Sequence, residues 1–272
     1  MKTRTATIYK AVGETPLIAL EKFRATKPHL KDTPIAYAGR LDPMASGALL
    51  LLLGDECKKQ TEYHALDKQY EFSTVFGISS DTGDILGRLQ YTAPPTVTVN
   101  NLHQTCRRLQ GDVALAYPHF SSKTVQGKPL HVWTLEGRLD EIEIPIRHSH
   151  VYNLRLLKLE SYTGEELYKR ALKRIDQLPT VTAPSKALGE DFRRVAVLRD
   201  WAAFWTAHSQ DEYPVATFTC TATSGTYMRS LAEQIAASNN TIGLAHHIHR
   251  TILGHYRHLY GRFGYWTTRY RP

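Results

Sequence analysis

One carboxylate in the chain lies between residues that would fix its position. Asp42 precedes Pro43, which favours extended backbone at residue 42. Gly39 and Gly47 flank it and allow other groups to approach the backbone closely. The apolar run that follows, Ala48–Leu53, would anchor the segment in a core. A carboxylate held in this way can act as a nucleophile, although an aspartate before proline is also a common turn residue.

Five stretches of sequence stand in a fixed order along the chain. They are G-R-L-D-P-M-A-S-G from Gly39, D-K-Q-Y-E-F from Asp67 with D-T-G-D from Asp81, P-H-F-S-S-K-T-V-Q-G-K from Pro118, S-G-T-Y-M-R-S-L from Ser224, and A-H-H-I-H-R-T-I-L-G from Ala245. Together they resemble the motifs of pseudouridine synthases of the TruB type. The first stretch would also suit the RsuA and RluA types, which modify ribosomal RNA, whereas the other four point to TruB. The resemblance covers roughly residues 8–160 and 214–254.

The resemblance implies a chemical role for several residues. Asp42 matches the catalytic carboxylate of the family, which attacks either C1′ of the ribose or C6 of the base. Arg229 matches the arginine that pairs with it, since a guanidinium keeps a carboxylate ionised and oriented. Tyr70 matches the tyrosine that packs on the flipped-out uracil. Tyr227 and Ile248 are expected to line the same pocket.

Four further residues are assigned to substrate or RNA by the same resemblance. Tyr37 stands where many TruB enzymes have a histidine that helps to fill the gap left by the flipped base, and a tyrosine can stack there equally well. Lys68, Lys123 and Arg250 match positions expected to contact RNA. Ser224 replaces the lysine that usually precedes Gly-Thr-Tyr in the family, so one customary RNA contact is absent from the motif.

The implied function is isomerisation of uridine to pseudouridine at position 55, in the T-loop of tRNA. The family needs neither cofactor nor metal, and the histidines at 246, 247, 249, 255 and 258 lack the i,i+4 acid-assisted pattern of a zinc site. The expected partner is therefore the T-arm of tRNA. Two alternatives remain: a ribosomal-RNA pseudouridine synthase, and a non-catalytic module that binds or folds tRNA.

The sequence predicts only some of the helices and strands that position these residues. Tyr70–Phe76, Val151–Leu159 and Val215–Ala222 alternate as strands do. Helices are predicted over roughly 17–24 and 98–110, whereas Ala48–Leu53 is either a buried strand or the start of a buried helix. The resemblance implies an α+β fold, the pseudouridine synthase fold, in which helices flank a central, mostly antiparallel sheet with a catalytic cleft.

The predicted organisation is a catalytic domain over 1–254, with a helical insertion at about 163–212, and a basic aromatic tail over 255–272. Fewer than about twenty residues follow Gly254, which is too few for a folded domain. We therefore expect the C-terminal PUA domain of many relatives to be missing. No acidic residue occurs from Gln234 to Pro272, and arginines interleaved with aromatic residues are typical of a nucleic-acid contact. A terminal strand or helix with core aromatics is the alternative.

Composition narrows the class of partner and the compartment. The formal net charge of +8 favours a polyanionic partner. The three cysteines form no Cys-x-x-Cys pair, and the longest apolar run is far below the roughly 20 residues that a membrane span needs. The sequence therefore predicts a monomeric, cytoplasmic protein that contacts no membrane.

Overall fold

The computed structural model describes residues 4–180, 190–259 and 263–272. The strands are β1 (Thr5–Lys10), β2 (Ile35–Ala38), β3 (Ser46–Leu53), β4 (Asp67–Phe76), β5 (Ile78–Ser80), β6 (Leu89–Tyr91), β7 (Gly111–Ala116), β8 (Thr124–Val125), β9 (Lys128–Pro129), β10 (Ile146–Thr163), β11 (Glu212–Ala222), β12 (Gly243–His258) and β13 (Gly264–Tyr270). The helices are α1 (Pro16–Ala25), α2 (Gln60–His64), α3 (Val99–Arg108), α4 (Leu130–Leu135), α5 (Gly164–Asp176), α6 (Glu190–His208) and α7 (Met228–Ala237).

Within these ranges, nine strands form the sheet that carries the site. Their order is β1-β3-β12-β4-β11-β10-β7, with β2 added to β3 and β13 added to β12. The pairs are antiparallel except for a short parallel contact between β12 and β3, where His249 and Arg250 lie beside Ser46 and Gly47. The prediction of an α+β fold with a mostly antiparallel sheet is therefore confirmed.

The apolar run that the sequence left open between strand and helix is strand β3. Leu50 and Leu52 pack into one buried cluster with Leu253 of β12. Leu49 and Leu51 point to the other face and pack against α1. A strand with both faces covered needs no polar alternation, which is why its period could not be read from the sequence.

The central strands β4, β11 and β12 are buried on both faces. On one face, Phe72 of β4 and Phe218 of β11 stack with ring centres 5.4 Å apart, and α7 covers them through Leu231 and Ile235. On the other face, the helices α5 and α6 pack on the sheet through a second buried cluster that includes Trp201. Because α7 packs against the sheet through buried side chains, the residues at the start of α7 are well fixed.

The elements predicted from periodicity are present with small differences in their bounds. The helix expected at 17–24 is α1, the helix expected at 98–110 is α3, and the three predicted strands lie within β4, β10 and β11. Helix α5 begins with a capping box, in which the side chains of Thr163 and Glu166 each accept a hydrogen bond from the other's backbone N–H.

The predicted division into domains stays a prediction. Helices α5 and α6 follow one another between β10 and β11, and residues 181–189 of the predicted insertion lie outside the described residues. The expected boundary at Gly254 falls inside β12, which continues to His258 and pairs with β13. Much of the predicted tail is thus part of the sheet, and its residues 260–262 also lie outside the described ranges.

Candidate active site

The loop that carries Asp42 is fixed to the sheet on both sides. Lys10, which is fully buried at the end of β1, donates from Nζ to the carbonyl oxygen of Ala45 at 2.7 Å. Burial lowers the pKa of Lys10 to about 8. On the other side, Gly47 has φ +110, and a Cβ there would lie 2.2 Å from the carbonyl oxygen of Arg250. Only glycine allows this approach, so the carboxylate of Asp42 stands on a rigid turn.

Arg229 contacts that carboxylate from the first turn of α7. Its Nε lies 2.9 Å from Oδ2 of Asp42, and the side chain is 5% exposed, against 41% for Asp42. The Nε–H group is not aligned with the oxygen, so the contact is an ion pair and not a well-directed hydrogen bond. The other nitrogens donate to the carbonyl oxygens of Thr82, at 2.7 Å, and Phe120, at 3.2 Å. The guanidinium is thereby fixed in place beside the carboxylate.

Two more acidic side chains surround the same guanidinium. Oδ2 of the buried Asp84 lies 3.8 Å from Nε of Arg229, and Glu233 lies one helical turn further along α7. Burial raises the pKa of Asp84, although Arg229 opposes the rise. Burial also raises the pKa of Glu233, to about 7. For Arg229, burial lowers the pKa, but Asp42 and Asp84 outweigh burial and leave it raised.

Asp42 opens into a cleft of about 680 Å³. Seven of the nine residues predicted for the site line this cleft: Asp42, Lys68, Tyr70, Tyr227, Arg229, Ile248 and Arg250. Aromatic, apolar and charged groups converge in it, which is typical of a small-molecule or cofactor-sized site. The volume is sufficient to admit one nucleotide.

Arg250 lies in this cleft wall, but its guanidinium is bound within the protein. The residue is 1% exposed, and its nitrogens donate to the carbonyl oxygens of Ala48, Arg40 and Gly39 at 2.8, 3.2 and 3.2 Å. Burial raises the pKa of the nearby Tyr70, and the positive charge of this guanidinium partly opposes the rise. The predicted RNA contact of Arg250 is therefore not supported, because its donors already hold the loop that precedes Asp42.

Lys68 is likewise engaged by the protein. Its Nζ donates to the carbonyl oxygens of His64 and Leu66 and to Oγ of Ser224, and the residue is 4% exposed. Burial, followed by the nearby Arg250, lowers its pKa to about 7. An ammonium has three N–H donors, and all three have partners here. The structure thus assigns Lys68 to the cleft wall and leaves it no free donor for a phosphate.

The two other pocket residues keep apolar or aromatic surface towards the cleft. Ile248 is buried on β12. Tyr227 is half-buried, packs edge-on against Tyr117 with ring centres 5.5 Å apart, and has a pKa raised by burial. Both placements agree with the expected pocket lining, while their roles towards a substrate stay predictions.

Tyr37 and Lys123 are not part of the cleft lining. Alternate residues of a strand point to opposite faces, and Tyr37 shares with Ile35 the face of β2 that packs against α1. Its predicted role, which is to fill the gap that the flipped base leaves in the RNA, stays a prediction. Lys123 is exposed, with Nζ 5.5 Å from the centre of the Tyr117 ring, and follows the cleft residue Ser122. It remains available as an RNA contact.

A family profile described as "TruB family pseudouridylate synthase (N terminal domain)" matches residues 27–173. This match covers more than half of the chain and includes Asp42, Lys68, Tyr70 and Asp84. The chain belongs to the TruB family. The resemblance found in the motifs is thus confirmed as family membership.

This chain matches only part of the length of its curated TruB relatives. The protein named tRNA pseudouridine synthase B of Caldicellulosiruptor saccharolyticus is 28% identical over 233 residues, which are 86% of this chain and 61% of the relative. The protein of the same name from Aromatoleum aromaticum is 36% identical over 151 residues, which are 56% of this chain and 47% of the relative. The chain therefore spans about half to three fifths of the length of these relatives.

A solved structure agrees with the TruB assignment at the level of the fold. A chain of a structure described as "Crystal Structure of a Cbf5-Nop10-Gar1 Complex" superposes with a TM-score of 0.53 and 14% sequence identity. The superposition covers 92% of this chain and 49% of the other. The expected pseudouridine synthase fold is thus confirmed.

Sequence reasoning missed three groups around the TruB site. Glu233 was not singled out, although its i+4 spacing from Arg229 puts it on the same helix face once α7 is recognised. Phe120 lines the cleft and orients Arg229 through its carbonyl oxygen, a backbone role that leaves no trace in residue type. Lys10 was given no role, because its buried hydrogen bond to the Asp42 loop depends on a contact between segments that are distant in the sequence.

The histidine-rich segment before residue 250 carries no metal constellation. Across residues 4–180, 190–259 and 263–272, no group of three or more His, Cys, Asp or Glu side chains is arranged to hold a metal ion. Burial lowers the pKa of His246 to about 3 and that of His247 to about 4, so both imidazoles are neutral at neutral pH. In the same described ranges, none of the helices is both long and apolar enough to cross a membrane.

Proposed function

We propose that this protein isomerises uridine to pseudouridine in tRNA. Support comes from its membership of the TruB family, from relatives that bear the name tRNA pseudouridine synthase B, and from a cleft with room for a nucleotide. The observation that supports catalysis most directly is the ion pair between Asp42 and the buried Arg229, at 2.9 Å, on the cleft wall. A protein that only bound RNA would not need a carboxylate fixed in this way.

The reaction requires the target base to leave its stack. Enzymes that do chemistry on a base in folded nucleic acid turn the nucleotide into a pocket, at a cost of a few kcal/mol. Tyr70, Tyr227 and Ile248 offer aromatic and apolar surface beside Asp42, and stacking on such surface offsets part of that cost. The uracil is therefore bound with its ribose next to the carboxylate.

Asp42 acts as the nucleophile in this proposal, by one of two routes. In the first route, a carboxylate oxygen bonds to C1′ as the N1–C1′ bond breaks, and the electron pair of the broken bond stays on the uracil. In the second route, the oxygen adds to C6 before the N1–C1′ bond breaks. Both routes end when C5 bonds to C1′, the aspartate leaves, C5 loses its proton and N1 gains one. Atoms and electrons balance without an external reactant.

Arg229 keeps the carboxylate correctly oriented through these steps. A fixed cation stabilises negative charge without reorganising during the reaction. Tyr70 lies in the same cleft, and burial raises the pKa of its phenol, so the group is neutral and its O–H can exchange a proton with the base. We assign the late removal of the C5 proton to Tyr70, on this side of the cleft.

We further propose position 55 of the T-loop as the target, and the T-arm as the bound part of tRNA. This finer assignment is supported by the family resemblance of the motifs that contain Asp42 and Arg229. A monomeric state and a cytoplasmic location stay predictions from the sequence.

The test is incubation of the purified protein with an unmodified tRNA transcript, followed by carbodiimide mapping of pseudouridine. A single modified position at residue 55, absent from a transcript with cytidine at 55, is expected. Product at another tRNA position would contradict the T-loop assignment. Product only on a ribosomal-RNA fragment would contradict the tRNA assignment, and binding without product would contradict catalysis.

A further inference from the structure

Helix α6 is joined by polar contacts to the β5–β6 hairpin. Nε of Arg88 lies 2.5 Å from Oδ2 of Asp200, which also accepts from the backbone N–H of Leu89 at 3.1 Å. The indole N–H of the buried Trp201 donates to the carbonyl oxygen of Ile85 at 3.0 Å. The helix starts after the region matched by the TruB profile ends, so these contacts connect it to a part of the fold that the profile includes.

Arg193, near the start of α6, reaches two residues closer to the cleft. Its Nη1 and Nη2 lie 2.5 and 3.1 Å from the two carboxylate oxygens of Asp81. Its guanidinium carbon lies 4.3 Å from the centre of the Phe120 ring. A bidentate ion pair fixes the direction of both side chains, and a cation over an aromatic face adds attraction. The ion pair is partly shielded, with 21% of the Arg193 side chain and 31% of the Asp81 side chain exposed.

Arg193 contacts Asp81, which is the neighbour of Thr82, and Phe120. Thr82 and Phe120 are the residues whose carbonyl oxygens hold Arg229. The carbonyl oxygen of Thr82 accepts a hydrogen bond from Nη1 of Arg229 at 2.7 Å. The carbonyl oxygen of Phe120 accepts a hydrogen bond from Nη2 of Arg229 at 3.2 Å. Arg193 therefore restrains both backbone segments that orient the partner of the catalytic carboxylate.

We propose that Arg193 is a positioning residue for catalysis, which holds the Asp81–Thr82 turn and Phe120 so that Arg229 stays aligned with Asp42. This inference rests on the proposed function. Arg193 is not among the residues that line the cleft, so it acts through Arg229 and does not touch the substrate. Small displacements of a reacting group can cost two orders of magnitude in rate, and Asp42 depends on Arg229 because its own carboxylate is 41% exposed.

The test compares Arg193→Ala with a matched control, Asp200→Asn. Both changes break a bidentate ion pair between α6 and the hairpin region, but Asp200 makes no direct contact with Asp81, Phe120 or Arg229, and the backbone hydrogen bond from Arg88 to Asp81 is kept in the control. Single-turnover rates at saturating tRNA are measured beside tRNA affinity. We expect Arg193→Ala to lower the rate by about tenfold or more with affinity within about twofold, and Asp200→Asn to stay within about twofold in both.

Arg193→Lys serves as the conservative variant. A lysine can restore the charge opposite Asp81 but neither the paired geometry nor the planar stack, so an intermediate rate is expected. Equal rates for Arg193→Ala and Asp200→Asn would overturn the proposal, as would a loss seen only in affinity. If Arg193→Ala does not fold, Arg193→Lys decides by the same criterion.

Hydrogen exchange gives a readout that does not need activity. Backbone amides in peptides covering 81–84 and 118–122 are expected to exchange faster in Arg193→Ala and at wild-type rates in Asp200→Asn. Unchanged exchange in Arg193→Ala would overturn the positioning role. Absence of pseudouridine with the wild-type protein would instead overturn the proposed function, and the exchange result would still report on the restraint.

Discussion

Arg250 illustrates how a basic residue in a functional motif can serve the fold. Its guanidinium is buried and donates to three backbone carbonyl oxygens around the Asp42 loop. The cost of burying a cation is offset only by such complete pairing. The residue that the motif suggested for RNA therefore determines where the Asp42 loop lies.

Arg250→Lys tests this assignment. A lysine keeps the charge but cannot span all three carbonyl oxygens, and each buried group left unpaired costs about 1–3 kcal/mol. We expect a loss of about 2–4 kcal/mol in the free energy of unfolding, measured by urea denaturation. Unchanged stability together with weaker tRNA binding would instead favour a direct RNA contact.

Glu233 gives a pH-dependent prediction. Burial raises its pKa from 4.5 to about 7, with Arg229 opposing. The folded state therefore binds more protons than the unfolded state between these values, so the ionised carboxylate destabilises the fold increasingly as pH rises from about 4.5 to 7. Glu233→Gln should be more stable than the wild type by about 1–3 kcal/mol at pH 8, with little difference near pH 4.5.

The comparison is urea unfolding of both proteins at several pH values across this range. A stability difference that does not change with pH would contradict the assignment, because it would mean that Glu233 titrates alike in the folded and unfolded chains.

The order of the motifs predicted that Asp42 and Arg229 meet, but not the direction of every side chain. Asp42 and Arg229 are 187 positions apart in the sequence, and the motifs still predicted their contact. Tyr37 was expected to fill the gap left by the flipped base, and the sequence did not show that strand alternation places it against the α1 cluster. Lys68 and Arg250 were expected to contact RNA, because residue type does not reveal which carbonyl oxygens a fold brings within reach.

The C-terminal hairpin is the element whose interpretation changes most. β12 and β13 pair antiparallel, and Tyr270 packs against a buried cluster of the sheet. Part of the aromatic content of the predicted tail is therefore structural, whereas Arg257, Phe263, Tyr265 and Arg269 are exposed. Truncation would remove both kinds of residue, so point substitutions separate the two roles.

Arg257→Gln combined with Arg269→Gln tests the predicted RNA contact of this hairpin. Each phosphate contact contributes about 0.7–0.9 to the slope of log affinity against log salt concentration. If both arginines contact tRNA, the slope should fall by about 1–2, with thermal stability unchanged. The control Lys22→Gln with Lys58→Gln changes net charge equally, but both lysines pair with acids elsewhere, Glu14 and Asp55. Equal slopes for the two double variants would contradict a specific contact.

Elements with a clear period could be predicted, and long-range pairings could not. The helical spacing of α1 and α3 and the alternation in β4 gave the correct type. The sequence did not show whether β3 is a strand or a helix, because both of its faces are buried. Its parallel contact with β12 joins residues about 200 positions apart, and local sequence carries no signal for that register.

For the whole molecule, the two large buried clusters share the same strands. Phe72 and Phe218 face one cluster, while Val75 and Val215 face the other. Disrupting either cluster therefore loosens β4 and β11, and with them the packing of the other cluster. We expect one cooperative transition in urea, with tryptophan fluorescence and far-ultraviolet circular dichroism changing together. Transitions with separate midpoints would show that the regions unfold independently.

The net charge of the chain and the position of the cleft together favour binding of a polyanion with one nucleotide directed at Asp42. Binding and chemistry are separable in this account, because charge is spread over the molecule whereas the nucleophile is a single carboxylate. A change at residue 42 that preserves shape should thus affect only the chemistry.

The most direct test is Asp42→Asn, compared with the wild type on unmodified tRNA under single-turnover conditions. An amide has nearly the same shape but cannot attack carbon as a carboxylate does. We expect no pseudouridine from the variant, while its affinity for tRNA stays within about threefold of the wild type. Pseudouridine formed by Asp42→Asn would contradict the assignment of Asp42 as the nucleophile.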